Sequence, residues 1–88
     1  MDVYILAVFR SRTQTILFDK VLKSYHIPSS IVNTPDQLRI GCSVAVKLNN
    51  IYLSDAMSIF GRRRFDSFVG FYQVRKQGVR VSISPITA

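Results

Sequence analysis

Glutamate and tryptophan are missing from this chain of 88 residues, and cysteine and histidine occur once each. A single cysteine excludes an internal disulfide framework and any multi-cysteine metal site within one chain. One histidine and no glutamate leave few groups for acid–base catalysis. There is no Ser–His–Asp set in a workable order, no phosphate-loop motif and no metal-ligand spacing. A stand-alone enzyme and a bound cofactor are therefore not expected. No apolar run reaches the roughly 18 residues of a membrane span. The opening Met1-Asp2-Val3-Tyr4 lacks a basic segment and a small-residue cleavage site, so no signal peptide is expected. A reducing, cytoplasmic setting is the default. Repeats and low-complexity tracts are absent as well.

What is present is apolar and basic. Hydrophobic residues make up 48% of the chain and charged residues 19%, which is too apolar for a disordered tail. Twelve Lys and Arg face five acids, for a net charge of +7. That charge suits nucleic acid, an anionic surface, a small anion or an acidic partner. Length allows one small domain.

The apolar run Val3–Phe9 predicts a buried strand. Ser11 or Thr13 can cap a following helix. Its stripe is Leu17, Phe18, Val21, Leu22 and Tyr25, with Asp19, Lys20, Lys23 and Ser24 largely on the other side. Pro28 helps end it near His26. Ser30–Asn33 is a short strand closed by Thr34-Pro35-Asp36, and Pro35–Cys42 is a loop or one helical turn. Val44, Val46 and Leu48 alternate as a third strand. Asn49 or Asn50 can cap a second helix with the stripe Leu53, Ala56, Met57 and Phe60. Gly61 and the basic run Arg62-Arg63-Arg64 suit its end. Phe68–Val74 is a fourth strand, and Lys76-Gln77-Gly78 can turn the chain into an edge strand over Val79–Ile83.

The order β-α-β-β-α-β predicts an α+β ferredoxin-like sandwich: a four-stranded antiparallel sheet with two helices on one face and room for a fifth, C-terminal edge strand. The domain is expected over residues 1–76, with 77–88 as an edge strand or a disordered tail.

This topology gathers distant residues at one end of the sheet. Arg10, Ser11, Arg12 and Thr13 follow the first strand. Thr34, Pro35, Gly41 and Cys42 belong to the next loop at that end, and Arg62, Arg63 and Arg64 to the one after. Cations and a helix N-terminus lower a cysteine pKa from about 8.5 and make the thiolate available. Helix N–H groups with the Ser11 and Thr13 hydroxyls form an anion pocket, and Gly41 permits close backbone approach beside the sulfur. Plainer readings stand beside these. A lone cysteine is often a small buried residue, an arginine run a solvated helix end, and Thr34-Pro35 a turn. His26, far from the rim, is structural. Tyr25, Phe60, Phe68 and Phe71 are core positions.

The segments Val3-Tyr4-Ile5-Leu6-Ala7-Val8-Phe9-Arg10-Ser11-Arg12-Thr13-Gln14-Thr15, Asn33-Thr34-Pro35, Gly41-Cys42-Ser43-Val44-Ala45-Val46-Lys47 and Gly70-Phe71-Tyr72 together resemble the selenium/sulfur carrier-like family of small bacterial proteins. The resemblance spans about Met1 to Val74. It implies a sulfur- or selenium-carrying cysteine at Cys42 and a cytoplasmic role near sulfur or selenium metabolism. Two positions depart from the family pattern: Asp36 stands where Arg often follows Thr-Pro, and Ser43 where Gly often follows Cys.

Three functions compete. The first is a carrier that holds a persulfide or selenopersulfide on Cys42 and docks a donor or acceptor protein through the arginines. The second is a non-catalytic, homodimeric ligand- or protein-binding regulatory module. Its first strand is apolar on both faces while helices cover only one, so the open sheet face is expected to pack on a second copy. Nucleic-acid binding ranks third, because the third strand offers no aromatic platform.

Overall fold

A computed structural model describes residues 2–38 and 40–86. The apolar start forms β1 (Asp2–Phe9), followed by α1 (Arg12–Ser24), β2 (Ser29–Asn33) and β3 (Val44–Asn49). A 3-10 turn over Asn50–Tyr52 leads into α2 (Leu53–Phe60), and the chain closes with β4 (Phe68–Gln77) and β5 (Arg80–Ile86). Among the described residues these are two α-helices and one antiparallel sheet of five strands, in the order β2-β3-β1-β4-β5. The sheet thus has five strands where four and an optional fifth were expected. β5 pairs with β4 from Gln77↔Arg80 to Phe71↔Ile86, so this part of the chain is built into the sheet. Thr87 and Ala88, the last of the expected extension, lie outside the described residues. No helix is long and apolar enough to cross a membrane, among the residues described.

β1 sits at the centre, and its residues Ile5 to Phe9 are all fully buried. Alternation sends Ile5, Ala7 and Phe9 towards the helices, where they meet Phe18, Val21 and Leu22 of α1 and Ala56 and Ile59 of α2. Burying a side chain of this size stabilises the fold by about 1.5–3 kcal/mol. All six phenylalanines join one aromatic cluster at the end of the sheet where β1 stops. Phe9, for example, lies 5.4 Å from Phe65 and 5.2 Å from Phe68, centroid to centroid. A bulge makes this packing feasible. Phe9 pairs with Phe68 but Val8 with Gly70, which leaves Val69 as an extra residue in β4. Phe68 and Phe71, three apart, thereby face the same side, with ring centroids 5.0 Å apart.

The sheet face away from the helices carries a second apolar cluster. Leu6, Val8, Ala45 and Val74 lie there, each fully buried within the single chain. Tyr4, Val32, Leu38, Val69, Tyr72 and Ile83 pack against them. Leu38 arrives from the loop between β2 and β3. The Tyr72 ring lies 3.5 Å from where a side chain on Gly70 would begin. The β1 side chains on this face are covered within the single chain, by apolar side chains that are themselves half-buried.

α1 is also turned relative to the expected stripe. Its buried positions are Thr15, Phe18, Asp19, Val21 and Leu22, while Leu17 is 40% and Tyr25 48% exposed. Two polar residues enter the buried face because each finds partners. The Thr15 hydroxyl donates to the Ser11 carbonyl at 2.9 Å. Asp19 accepts from the Ser29 hydroxyl at 2.6 Å and from Lys23 Nζ at 2.8 Å. Burial without such bonds would be costly. The helix ends in a Schellman arrangement: His26 N–H donates to the Lys23 carbonyl, and Ile27 N–H to that of Leu22. His26 is the left-handed residue this turn requires, with φ of 63°.

Candidate functional site

Cys42 is half-buried and is held by its backbone on two sides. Its N–H donates to the Phe9 carbonyl at 2.7 Å, and its carbonyl accepts from the Thr34 hydroxyl at 2.8 Å. Thr34 N–H donates to the Ser43 carbonyl at 2.8 Å. The Thr-Pro and Gly-Cys pairs therefore form one clamp. Thr34 closes it from the end of β2, and the end of β1 supports it. Gly41 makes the contact with β1 feasible. It has φ of +82°, and a Cβ there would stand 2.7 Å from Val8 Cγ1 and 2.8 Å from the Phe9 carbonyl oxygen. Its role is close approach to β1 rather than access to the sulfur.

Pro35 begins a turn in which Leu38 N–H donates to the Pro35 carbonyl at 2.9 Å. The turn folds over an open cavity of about 760 Å³, lined by Thr34, Asp36, Ile40 and Cys42 among others. Asp36 is the charged side chain among the described lining residues, and no described arginine joins it.

The loops expected to meet do meet at the backbone. Arg10 N–H donates to the Ser67 carbonyl at 2.7 Å, one residue beyond Phe9, which holds Cys42. Ser11 caps α1, accepting from Gln14 N–H at 3.2 Å, while Thr13 lies inside the helix. Ser67 and Gln14 were not among the expected site residues. Ser67 N–H and Oγ both donate to Gln14 Oε1, at 3.0 and 2.7 Å, and Ser11 N–H donates to Ser67 Oγ at 3.2 Å. The Ser11-x-x-Gln14 spacing is a capping-box signal. Nothing in the sequence marks Ser67. Of the groups assigned to the expected anion pocket, this network engages the Ser11 hydroxyl and the Gln14 N–H.

The arginines point elsewhere. Arg10, Arg12, Arg62, Arg63 and Arg64 are all exposed. Phe60 and Phe65 stack at 5.6 Å between ring centroids, and the Arg62–Arg64 run bulges into solvent between them. Arg62 lines a shallow groove with Tyr25, Ile27 and Asp55 at the helix pair. None of these five arginines lines the Cys42 cavity. Among the described residues, no group of three His, Cys, Asp or Glu side chains is placed to hold a metal ion.

The family described as "Putative Se/S carrier protein-like" matches residues 4–66. The chain belongs to that family. The match runs from β1 through the Thr34–Cys42 clamp and α2, and it stops before β4 and β5. It therefore includes the cysteine, the residues that hold its backbone and the arginine run. No curated protein and no solved structure matches the chain.

Proposed function

We propose that this member of the carrier-like family holds sulfur or selenium on Cys42 and passes it between partner proteins in the cytoplasm. The observation that carries the reading is the clamp: the chain's one thiol sits on a backbone pinned at both its N–H and its carbonyl, beside an open cavity. Family membership supports the same reading. The scaffold is a ferredoxin-like sandwich extended by β5, a reading supported by the order β2-β3-β1-β4 and by both helices packing on one face.

In the loading step the Cys42 thiolate attacks the outer sulfur of a donor persulfide, R–S–SH. A bond forms between Cys42 Sγ and that sulfur, the donor S–S bond breaks, and the donor leaves as its thiol. A selenopersulfide donor follows the same course with selenium as the transferred atom. Unloading is the reverse attack by an acceptor thiolate. The exposed arginines would supply a docking surface for an acidic donor or acceptor.

Intact-mass analysis after incubation with a low-molecular-weight persulfide tests the reading. The protein is expected to gain the mass of one sulfur atom, to lose it on reduction, and to gain nothing as Cys42→Ser. Failure of the unsubstituted protein to take up sulfur would refute it.

A further inference from the structure

The sheet face opposite the helices carries a charge arrangement that the carrier reading does not use. Tyr4, on central β1, lies under two ammonium groups: Lys47 Nζ is 4.4 Å and Lys76 Nζ 5.7 Å from its ring centroid. The lysines come from the strands on either side. Lys47 stands opposite Leu6 and Lys76 opposite Asp2, so both reach Tyr4 diagonally. The ring's negative face holds the two cations but does not neutralise them. Among the described residues neither lysine is in an ion pair, and the pair that exists is Lys23–Asp19.

A cavity of about 370 Å³ adjoins this trio, a volume within the usual range of small-ligand sites. Its apolar lining includes Leu6, Val32 and Val81, and Asn33 and Gln37 add side-chain amides. No carboxylate is among its described lining residues. Asp2 lines the neighbouring cavity, which shares Tyr4, Lys47 and Lys76.

We infer that this groove binds a small phosphate monoester. The two ammonium groups hold the dianionic phosphate, and the apolar floor with its amide edge takes the organic body. Lysine binds phosphate as a point charge, and two such charges held on one ring match two negative charges on one group. Cys42 does not line this groove, although Asn33 and Pro35 border both it and the cavity beside Cys42.

The test uses the whole protein, with adenosine 5′-monophosphate, inorganic phosphate and adenosine as probes, followed by amide chemical shifts at constant ionic strength. The monophosphate is expected to bind saturably with Kd below about 1 mM, and its shifts should centre on Tyr4, Lys47 and Lys76. Inorganic phosphate should compete, and adenosine should not bind. A Lys47→Gln/Lys76→Gln double variant, altered at exposed positions, should bind about tenfold more weakly or worse. An Arg62→Gln/Arg63→Gln double variant removes equal charge and should stay within about twofold. Tyr4→Leu should weaken binding while Cys42→Ser leaves it unchanged. Absence of saturable shifts, or an equal loss in the arginine variant, would overturn the inference. So would tighter binding of a single-stranded RNA oligonucleotide than of the monophosphate, since the groove would then serve a polymer.

Discussion

A methyl group on Gly41 would stand against Val8 Cγ1 and the Phe9 carbonyl oxygen, neither of which has room to move. Val8 is fully buried and the oxygen is backbone. The left-handed φ adds its own strain. Gly41→Ala should therefore destabilise the fold by about 2–4 kcal/mol, measured by urea unfolding. A loss under about 1 kcal/mol would mean that the Gly41–Cys42 segment does not dock on β1 as described. His26 presents the opposite case. It occupies a left-handed position that glycine adopts without strain, and its ring is not needed for the Schellman bonds, which are backbone bonds. His26→Gly should raise stability by about 1 kcal/mol, seen as a higher melting temperature. At this scale the sequence was partly informative. Gly beside Cys signals a special backbone, and Pro28 signals a helix end. The identity of the partner that Gly41 approaches was not legible, because β1 lies more than thirty residues away.

Elements were more legible than the sides they present. The period-2 pattern of Val44, Val46 and Leu48 marks β3, and the run from Leu53 to Phe60 marks α2. The hydrophobic stripe of α1 misplaced its face, because Asp19 and Thr15 are buried by virtue of hydrogen bonds to residues that periodicity cannot weigh. β4 shows the same limit. In a regular strand Phe68 and Phe71 would face opposite sides, and only the bulge at Val69 unites them. Deleting Val69 removes the extra residue and leaves Phe68 and Phe71 two apart on a regular strand, both still facing the helices. The deletion should therefore cost far less than Phe68→Ala, for which about 3–5 kcal/mol is expected. Chemical denaturation of the two variants compares them directly. A deletion as costly as the truncation would show that Val69 is not the extra residue of the bulge.

The whole molecule measures 35 × 25 × 22 Å and carries a net charge of +7. Among its described residues it has one ion pair to offset that charge. At about 0.01 M salt the Debye length is roughly 30 Å, so every positive charge on the molecule repels every other; at 0.1 M it falls to about 10 Å. The unfolded chain spreads the same charges further apart, so repulsion weighs more on the folded state. Raising sodium chloride over this range should therefore raise the melting temperature, by about 5 °C for each kcal/mol of repulsion relieved. A fall with salt would mean that favourable charge pairing outweighs repulsion. Screening and binding separate in the same experiment. If the Lys47–Lys76 groove takes phosphate, replacing chloride with phosphate at equal ionic strength should raise the melting temperature further, because a ligand that binds only the folded state stabilises it. That increment should vanish in the Lys47→Gln/Lys76→Gln variant, while the chloride dependence persists in weaker form on the remaining positive charge.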